Sequence, residues 1–203
     1  NINTLQIHKW LGFKIFRMKK YVFISNKIKN FEILQFNKKK IFKKNILYKK
    51  FLFDKIFPNS LTKLLKDQFY EAYNPRKSNN FIINRYLKHP KYKYEVYVTK
   101  NKNNKILGLF VFRIIYFNSS SVIKLVDYVG KDKDFLSINN LAQHLLDKNK
   151  SEYIIFYCYG LAKKYITQSG FININEKQIT VPHYFEPFVN KNIDIDCGYI
   201  KKK

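Results

Sequence analysis

The stretch Ser121–Leu146, SVIKLVDYVGKDKDFLSINNLAQHLL, decides how this chain is read. Val122, Ile123, Leu125 and Val126 form an apolar run of strand-forming residues. Gly130 breaks the run, and Lys131 to Asp134 make a charged turn. Leu136, Leu141, Leu145 and Leu146 then recur at helical spacing. The segment is therefore a strand, a short loop and a helix. Such a junction aims backbone N–H groups and the positive end of the helix dipole at one spot, which suits an anion such as a phosphate. An ordinary strand–helix unit with an empty loop has the same pattern, and on these residues alone both stand.

Downstream, Tyr153 to Tyr159 is nearly all apolar or aromatic, as a central buried strand requires. Gly160 opens a short helix, LAKKYITQSG, capped by Gly170, and Phe171 to Ile174 begins a further strand. Pro182 and Pro187 bracket the aromatic segment PHYFEP, and Asp196 to Ile200 reads as a last strand. Upstream, Ile106 to Phe117 and Tyr94 to Thr99 form a hairpin across the polar turn Asn101–Lys105. Two helical segments precede it, one starting at Ser60 as N-cap and one closing at Asn84–Pro90. The order over 58–203 is two helices, a hairpin, strand, helix, strand, helix and two strands, which implies a mixed α/β sheet with helices on its faces.

Residues 1–57 are different in character. Asn1 to Phe13 reads as the end of a helix with Gly12 as C-cap, and Lys14 to Ser25 as a strand. Phe31, Ile33, Leu34 and Phe36 hint at another strand. From Lys38, lysines interleave with Ile41, Phe42, Ile46, Leu47, Phe51, Leu52 and Phe53. That pattern fits a basic amphipathic helix, or a connecting segment with solvated lysines; the second is the expectation. The first residue is Asn and not Met, so a fragment or processed product is expected.

The net charge of +25 suggests a nucleic-acid or anionic-membrane partner. Heavy use of Lys, Asn, Ile, Phe and Tyr is also what an AT-rich genome produces, so a nucleic acid is not the expected partner. Charge is uneven: residues 1–57 hold 15 Lys/Arg against 2 Asp/Glu, and residues 58–203 hold 24 against 12. Cys158 and Cys197 make no metal spacing and no disulfide framework, which fits a reducing cytoplasm. No apolar run approaches the ~20 residues that cross a bilayer, and no signal-peptide pattern is present.

This order of elements resembles the GNAT superfamily of N-acetyltransferases. The family often ends a helix with Asn, Ala three residues on, and a Leu–Tyr–Glu–Lys–Leu–Gly–Phe type sequence. Asn1, Thr4, Ile7, Leu11, Gly12 and Phe13 are similar to it, with His8 at the Tyr position. A second copy runs over Tyr159, Ala162, Tyr165, Ile166, Gly170 and Phe171. Gly12 and Gly170 lie 158 residues apart, about one such domain. The resemblance thus implies a tandem: residues 1–25 as the tail of a missing upstream domain, 26–57 as a basic connector, and 58–203 as a second domain. Arg85 to Pro90, Tyr92 and Tyr94, Val126 to Gly130, Gly170-Phe171 and Pro182 to Pro187 are further similar to bacterial GNAT-like proteins associated with surface-polysaccharide synthesis.

The resemblance implies a mostly antiparallel sheet that splays between its fourth and fifth strands. It implies transfer of an acetyl or related acyl group from acetyl-CoA, as co-substrate, to a small-molecule primary amine such as an amino sugar, with no metal. The CoA pyrophosphate would lie at the loop Tyr128 to Asp134, through Tyr128, Val129, Gly130, Lys131 and Lys133. The pantetheine would run along Leu125, Val126 and the facing strand, where backbone N–H groups polarise the thioester carbonyl. The loop differs from the family's Gly-x-Gly form, and Asp132 and Asp134 oppose an anion. The family's thiolate-protonating Tyr is Ile166 in the second copy; Tyr165 is displaced by about 100° round the helix.

Proton transfer needs a base and an acid. Asp127, His183 and Glu186 are the base candidates and Tyr159 the acid; each has a plain structural alternative. Arg85 and Arg113 are candidates for an anionic substrate or a CoA phosphate, or are surface cations. Two alternatives to the enzyme stand: a non-catalytic docking module of the same fold, and a basic nucleic-acid or tRNA-binding protein.

Overall fold

The computed structural model describes residues 2–35, 50–66, 68–71, 76–174, 179–182 and 191–199. Helix α1 (Ile2–Trp10) ends as its glycine predicts. Gly12 sits at φ +83°, Phe13 N–H bonds the His8 carbonyl and Gly12 N–H that of Lys9, which satisfies the last carbonyls of the helix. The single strand expected for 14–25 is two, β1 (Lys14–Arg17) and β2 (Lys19–Ile24). They part at Met18, whose N–H bonds the Ile195 carbonyl. β1 forms a separate two-stranded sheet with a C-terminal strand, β9 (Asp196–Tyr199), and β2 joins the main sheet.

The main sheet also contains β3 (Leu52–Ile56), β4 (Glu95–Lys100), β5 (Ile106–Phe117), β6 (Ser120–Gly130), β7 (Tyr153–Cys158) and β8 (Ile172–Asn173). Its order is β3-β4-β5-β6-β7-β2-β8, and every neighbouring pair is antiparallel except β6 and β7. A parallel pair needs a crossover. A 3-10 turn (Asp132–Ser137) and helix α5 (Ile138–Asn149) supply it. Two expected boundaries therefore fall inside one sheet. β3, in the expected connector, is an edge strand, and β2, in the expected upstream tail, lies between β7 and β8. Residues 36–49, where the rest of the basic connector falls, lie outside the described residues. Of the strand hinted at by Phe31, Ile33, Leu34 and Phe36, the first three lie in no strand and Phe36 lies outside the described residues; Gln35 makes one antiparallel bridge to Thr180.

Strand alternation gives the sheet two unlike faces. One face carries a continuous core. Tyr21, Phe23, Phe110, Phe112, Ile123, Leu125 and Phe156 point to α5 and to α6 (Lys163–Gln168), with Phe135 and Phe171 between them. On the other face the apolar packing is in two parts. Towards β3, Val96, Val98, Leu109 and Val111 pack on Leu61, Tyr70, Ile82 and Tyr86. These come from α2 (Pro58–Leu64), α3 (Gln68–Glu71) and α4 (Asn79–Ile82) with its π-helical extension Ile83–Leu87. Ser60 is the third residue of α2 and not its N-cap: Pro58 already occupies the first turn, and the Ser60 hydroxyl accepts the Phe57 N–H. Towards β8, Val22, Val122 and Ile155 pack on Ile33, Leu34, Ile179 and Val181. Glu152, 1% exposed, roofs this part: its carboxylate accepts the N–H groups of Glu32, Ile33 and Leu34 and the Ser120 hydroxyl.

β6 and β7 pair only from Ile123–Leu125 to Ile154–Phe156. Beyond that β6 runs on to Gly130, paired with β5 alone. The register with β5 jumps from Phe112↔Leu125 to Val111↔Asp127, so Val126 is a bulge residue. A bulge bends and twists its strand, which turns β6 away from β7. The result is a mixed, mostly antiparallel sheet, with helices on both faces and parted between its fourth and fifth strands.

Candidate functional site

The mouth of this parting opens onto a cavity of about 500 Å³ on the divided face, within the range of small-molecule sites. Val126 and Tyr157 stand at the parting, and Arg85, Tyr92, Arg113 and Lys124 are among the other wall residues. Arg113 and Lys124 are direct cross-strand partners. The Arg113 guanidinium stacks on Tyr92 at 3.8 Å. The Tyr157 ring lies between two ammonium groups, 5.6 Å from Lys124 and 5.4 Å from Lys20. Tyr92 is held in turn: His89 Nδ1 accepts its N–H at 3.0 Å, and the two rings stack at 5.1 Å. His89 thus fixes the place of Tyr92.

Burial makes Lys124 and Lys20 weaker bases. Lys124 is pushed below the ordinary lysine value by burial first and by Arg113 second. Lys20, 4% exposed, falls to about 8 because burial outweighs its attraction to Asp194. It donates to the Val181 carbonyl and to Asn192 Oδ1, both at 3.3 Å.

The predicted residues divide. Val126 reaches the cavity wall, while Leu125 and Val129 are buried in the cores of opposite faces. Asp127, next to the bulge, is ion-paired to Lys77 and accepts the Tyr86 hydroxyl at 2.7 Å. Burial, and then Asp127, push the Tyr86 hydroxyl well above the ordinary phenol range. Tyr159 is half-exposed and stacks on Phe16 of β1 at 4.2 Å, itself stacked on Tyr199. It is neither buried in the core nor a wall of the cavity. His183 and Glu186 lie outside the described residues.

The loop after β6 is shaped by its own side chains. The Tyr128 ring packs on Phe110 at 4.7 Å and folds back over Gly108 and Gly130, and its hydroxyl donates to the Lys131 carbonyl at 2.7 Å. A Cβ on Gly130 would meet that hydroxyl at 2.2 Å. Gly130 is thus needed for the close approach of Tyr128. The Asp132 carboxylate accepts the Ala162 N–H at 3.0 Å, which ties the loop to the approach to α6. Lys131 and Lys133 are exposed beside it. Burial holds the Asp134 carboxyl above its ordinary value, against three nearby lysines.

The sequence singled out Arg85 and Arg113 and included Tyr92 and the strand of Tyr157 in the wider resemblance, but Lys124 was missed. The available signal was a charged residue inside each of two apolar strands, Phe112-Arg113-Ile114 and Ile123-Lys124-Leu125. Among the described residues no group of His, Cys, Asp and Glu is placed to hold a metal, and no helix is long and apolar enough to cross a membrane.

No family model matches this sequence, and no curated protein does. Solved structures do. A conserved protein of unknown function from Staphylococcus epidermidis aligns at 16% identity and a TM-score of 0.49, over 85% of this chain and 64% of that one. Saccharomyces cerevisiae N-myristoyltransferase with bound myristoyl-CoA aligns at 10% identity and 0.47, over 77% of this chain and 46% of that one. A GCN5-related N-acetyltransferase from Anabaena variabilis aligns at 7% identity and 0.47, over 83% and 41%. The chain spans under two thirds of each of these proteins.

Proposed function

We propose that this chain is an acyltransferase module that moves an acyl group from a CoA thioester to an amine. The observation that carries the reading is the parting of β6 from β7 at the Val126 bulge, with a cavity at its mouth. A thin acyl chain can lie in the gap between two parted strands, where unpaired backbone groups are available to polarise a carbonyl. The bound thioester supplies an activated acyl carbon. The amine nitrogen bonds to that carbon, the carbon–sulfur bond breaks, the nitrogen gives up a proton and the sulfur leaves as thiolate to be protonated.

Leu125, Val126, Tyr128, Val129 and Gly130 would flank the donor along β6. Lys131 and Lys133 would meet its phosphates, because Asp132 is already engaged by the Ala162 N–H. Asp127 is the base we assign, held in place by Lys77 and Tyr86. Tyr159, past the open end of β7, is the proton donor we assign. Residues 1–25 we read as the end of an upstream domain of the same kind, whose strand β2 completes the sheet. The acceptor class suggested by the resemblance is an amino sugar of surface-polysaccharide synthesis.

Calorimetry with acetyl-CoA tests the reading, on the protein and on a Lys131→Glu/Lys133→Glu variant that leaves Gly130 and Tyr128 untouched. Micromolar binding, weakened about tenfold or more by the charge reversal (about 1.4 kcal/mol), is expected. Thiol release should then depend on added amine. No binding at millimolar acetyl-CoA by the folded protein would overturn the reading and leave a docking module of the same fold.

A further inference from the structure

We propose that His89 is a positioning residue of the cavity: only with a neutral imidazole does it hold Tyr92 against Arg113, so that protonating this one ring reshapes the wall. That the cavity takes an acceptor rests on the acyl-transfer reading; the coupling of His89 to the wall does not.

The chain of contacts starts in the sequence His89-Pro90-Lys91-Tyr92. Pro90 has no N–H to offer. The next two N–H groups, of Lys91 at 3.1 Å and of Tyr92 at 3.0 Å, both converge on His89 Nδ1. Two donors on one ring nitrogen require a lone pair there, which puts the ring proton on Nε2. A side-chain acceptor bonded to the N–H two residues on is the turn that Asn and Asp ordinarily make. Here a histidine makes it, and histidine is the side chain that changes charge between about pH 5 and 8.

The turn sets the wall. Tyr92 stacks on the His89 ring at 5.1 Å and carries the Arg113 guanidinium 3.8 Å from its centroid. Tyr94 meets His89 edge-on at 5.5 Å. Tyr92, Tyr94 and Arg113 all line the cavity. Arg113 belongs to β5, so a turn outside the sheet orients a guanidinium within it. On protonation Nδ1 changes from acceptor to donor while two N–H groups still point at it. Both lose their partner, and Tyr92 is released from Arg113. The charged groups around the turn are Lys88, Lys91 and Lys93 in the segment itself, Arg85 on the π-helical extension and Arg113 on β5. All are cations and cannot partner an imidazolium. The ring stack pulls the other way, because a cation over a tyrosine face is attracted, but two lost hydrogen bonds outweigh one such contact at a partly exposed site.

NMR on the full chain tests this. Protons of a guanidinium held over a ring face are shielded, so the Arg113 side-chain signals report the stack on Tyr92, and Tyr92→Leu shows where they fall without it. Through the imidazole titration of His89, those signals should move towards their Tyr92→Leu positions as the pH falls. Exchange of the Lys91 and Tyr92 amides, corrected for intrinsic rate, should quicken about tenfold over the same range. His89→Asn keeps an acceptor that does not titrate and should hold both readouts constant. His89→Ala should give the unstacked signals at every pH, with circular dichroism checking the sheet; if it does not fold, His89→Asn decides. Arg113 signals unmoved through the His89 titration, a His89→Asn that responds to pH like the unaltered protein or is unstacked throughout, or stacked signals in folded His89→Ala would overturn the proposal. Acetyl-CoA calorimetry on the same samples keeps the two readings apart. Coupling of His89 to Arg113 without acetyl-CoA binding would sink the acyl-transfer reading and keep this one; binding with Arg113 unmoved would do the reverse.

Discussion

The two faces of the main sheet use the same strands and pack in opposite ways. On one, Phe110, Phe112, Ile123, Leu125 and Phe156 meet α5 and α6 in an unbroken aromatic core centred on Phe135. On the other, the residues between them in sequence form two separate clusters with a cationic gap at Arg113 and Lys124. The first face stabilises the fold by burying apolar area, which needs only size and shape. The second leaves a cavity in its packing and puts charge beside it, an arrangement that buries less apolar area. One residue along a strand changes which of these jobs a side chain does.

The contrast can be broken from the closed side first. Phe135→Ala, fully buried among Phe110, Tyr128, Phe156 and Phe171, should cost about 3–5 kcal/mol in urea unfolding. If it costs under about 1 kcal/mol, the continuous core is not what holds the sheet. On the divided side the corresponding weak point is polar. Glu152→Ala leaves the N–H groups of Glu32, Ile33 and Leu34 without their acceptor and should cost about 3 kcal/mol. Hydrogen exchange should report early opening of 31–35 while the α5 amides stay protected. Uniform loss of protection would show that the two parts of this face do not unfold apart.

The smallest effect is in pH dependence. Burial lowers Lys20 from 10.5 to about 8. Between those values the unfolded chain keeps a proton that the folded chain has released, so unfolding takes up a proton and stability rises with pH across the window. Below about pH 8 the burial penalty is fully present. Comparing the protein with Lys20→Met isolates this from other titrations: the variant should gain relative stability below pH 8, and the gap should close as the pH rises towards 10.5. A gap independent of pH would show that the ammonium is not desolvated on folding.

Much of the fold was legible because local rules and tertiary packing agree. The hairpin of β4 and β5 follows from alternation around Asn101–Lys105, where Asn104 takes φ +60°. Gly12 and Gly170, both at positive φ, end their helices as expected. The strand–loop–helix at 121–146 is present, although a 3-10 turn precedes α5. β3 was hidden, because Lys55 and Asp54 of this edge strand reach solvent and pair with Glu95 and Lys100, so its apolar pattern is half erased. The site was less legible. Asp127 and Tyr159 were chosen for chemistry, and neither lines the cavity. Arg113 was noticed, but its partner Lys124 was not.

By itself, then, the sequence determined the periodic elements and the glycine-capped helix ends, since each depends on neighbours within a few positions. Only the tertiary structure decided that β2 enters the sheet between β7 and β8, that Glu152 binds a loop more than a hundred residues away in the chain, and that a bulge at Val126 parts two strands. It also decided that Arg113 and Lys124 stand side by side in the wall of a cavity. These are matters of register and pairing between distant segments, and a one-residue slip of β5 against β6 would put the two cations on opposite faces of the sheet.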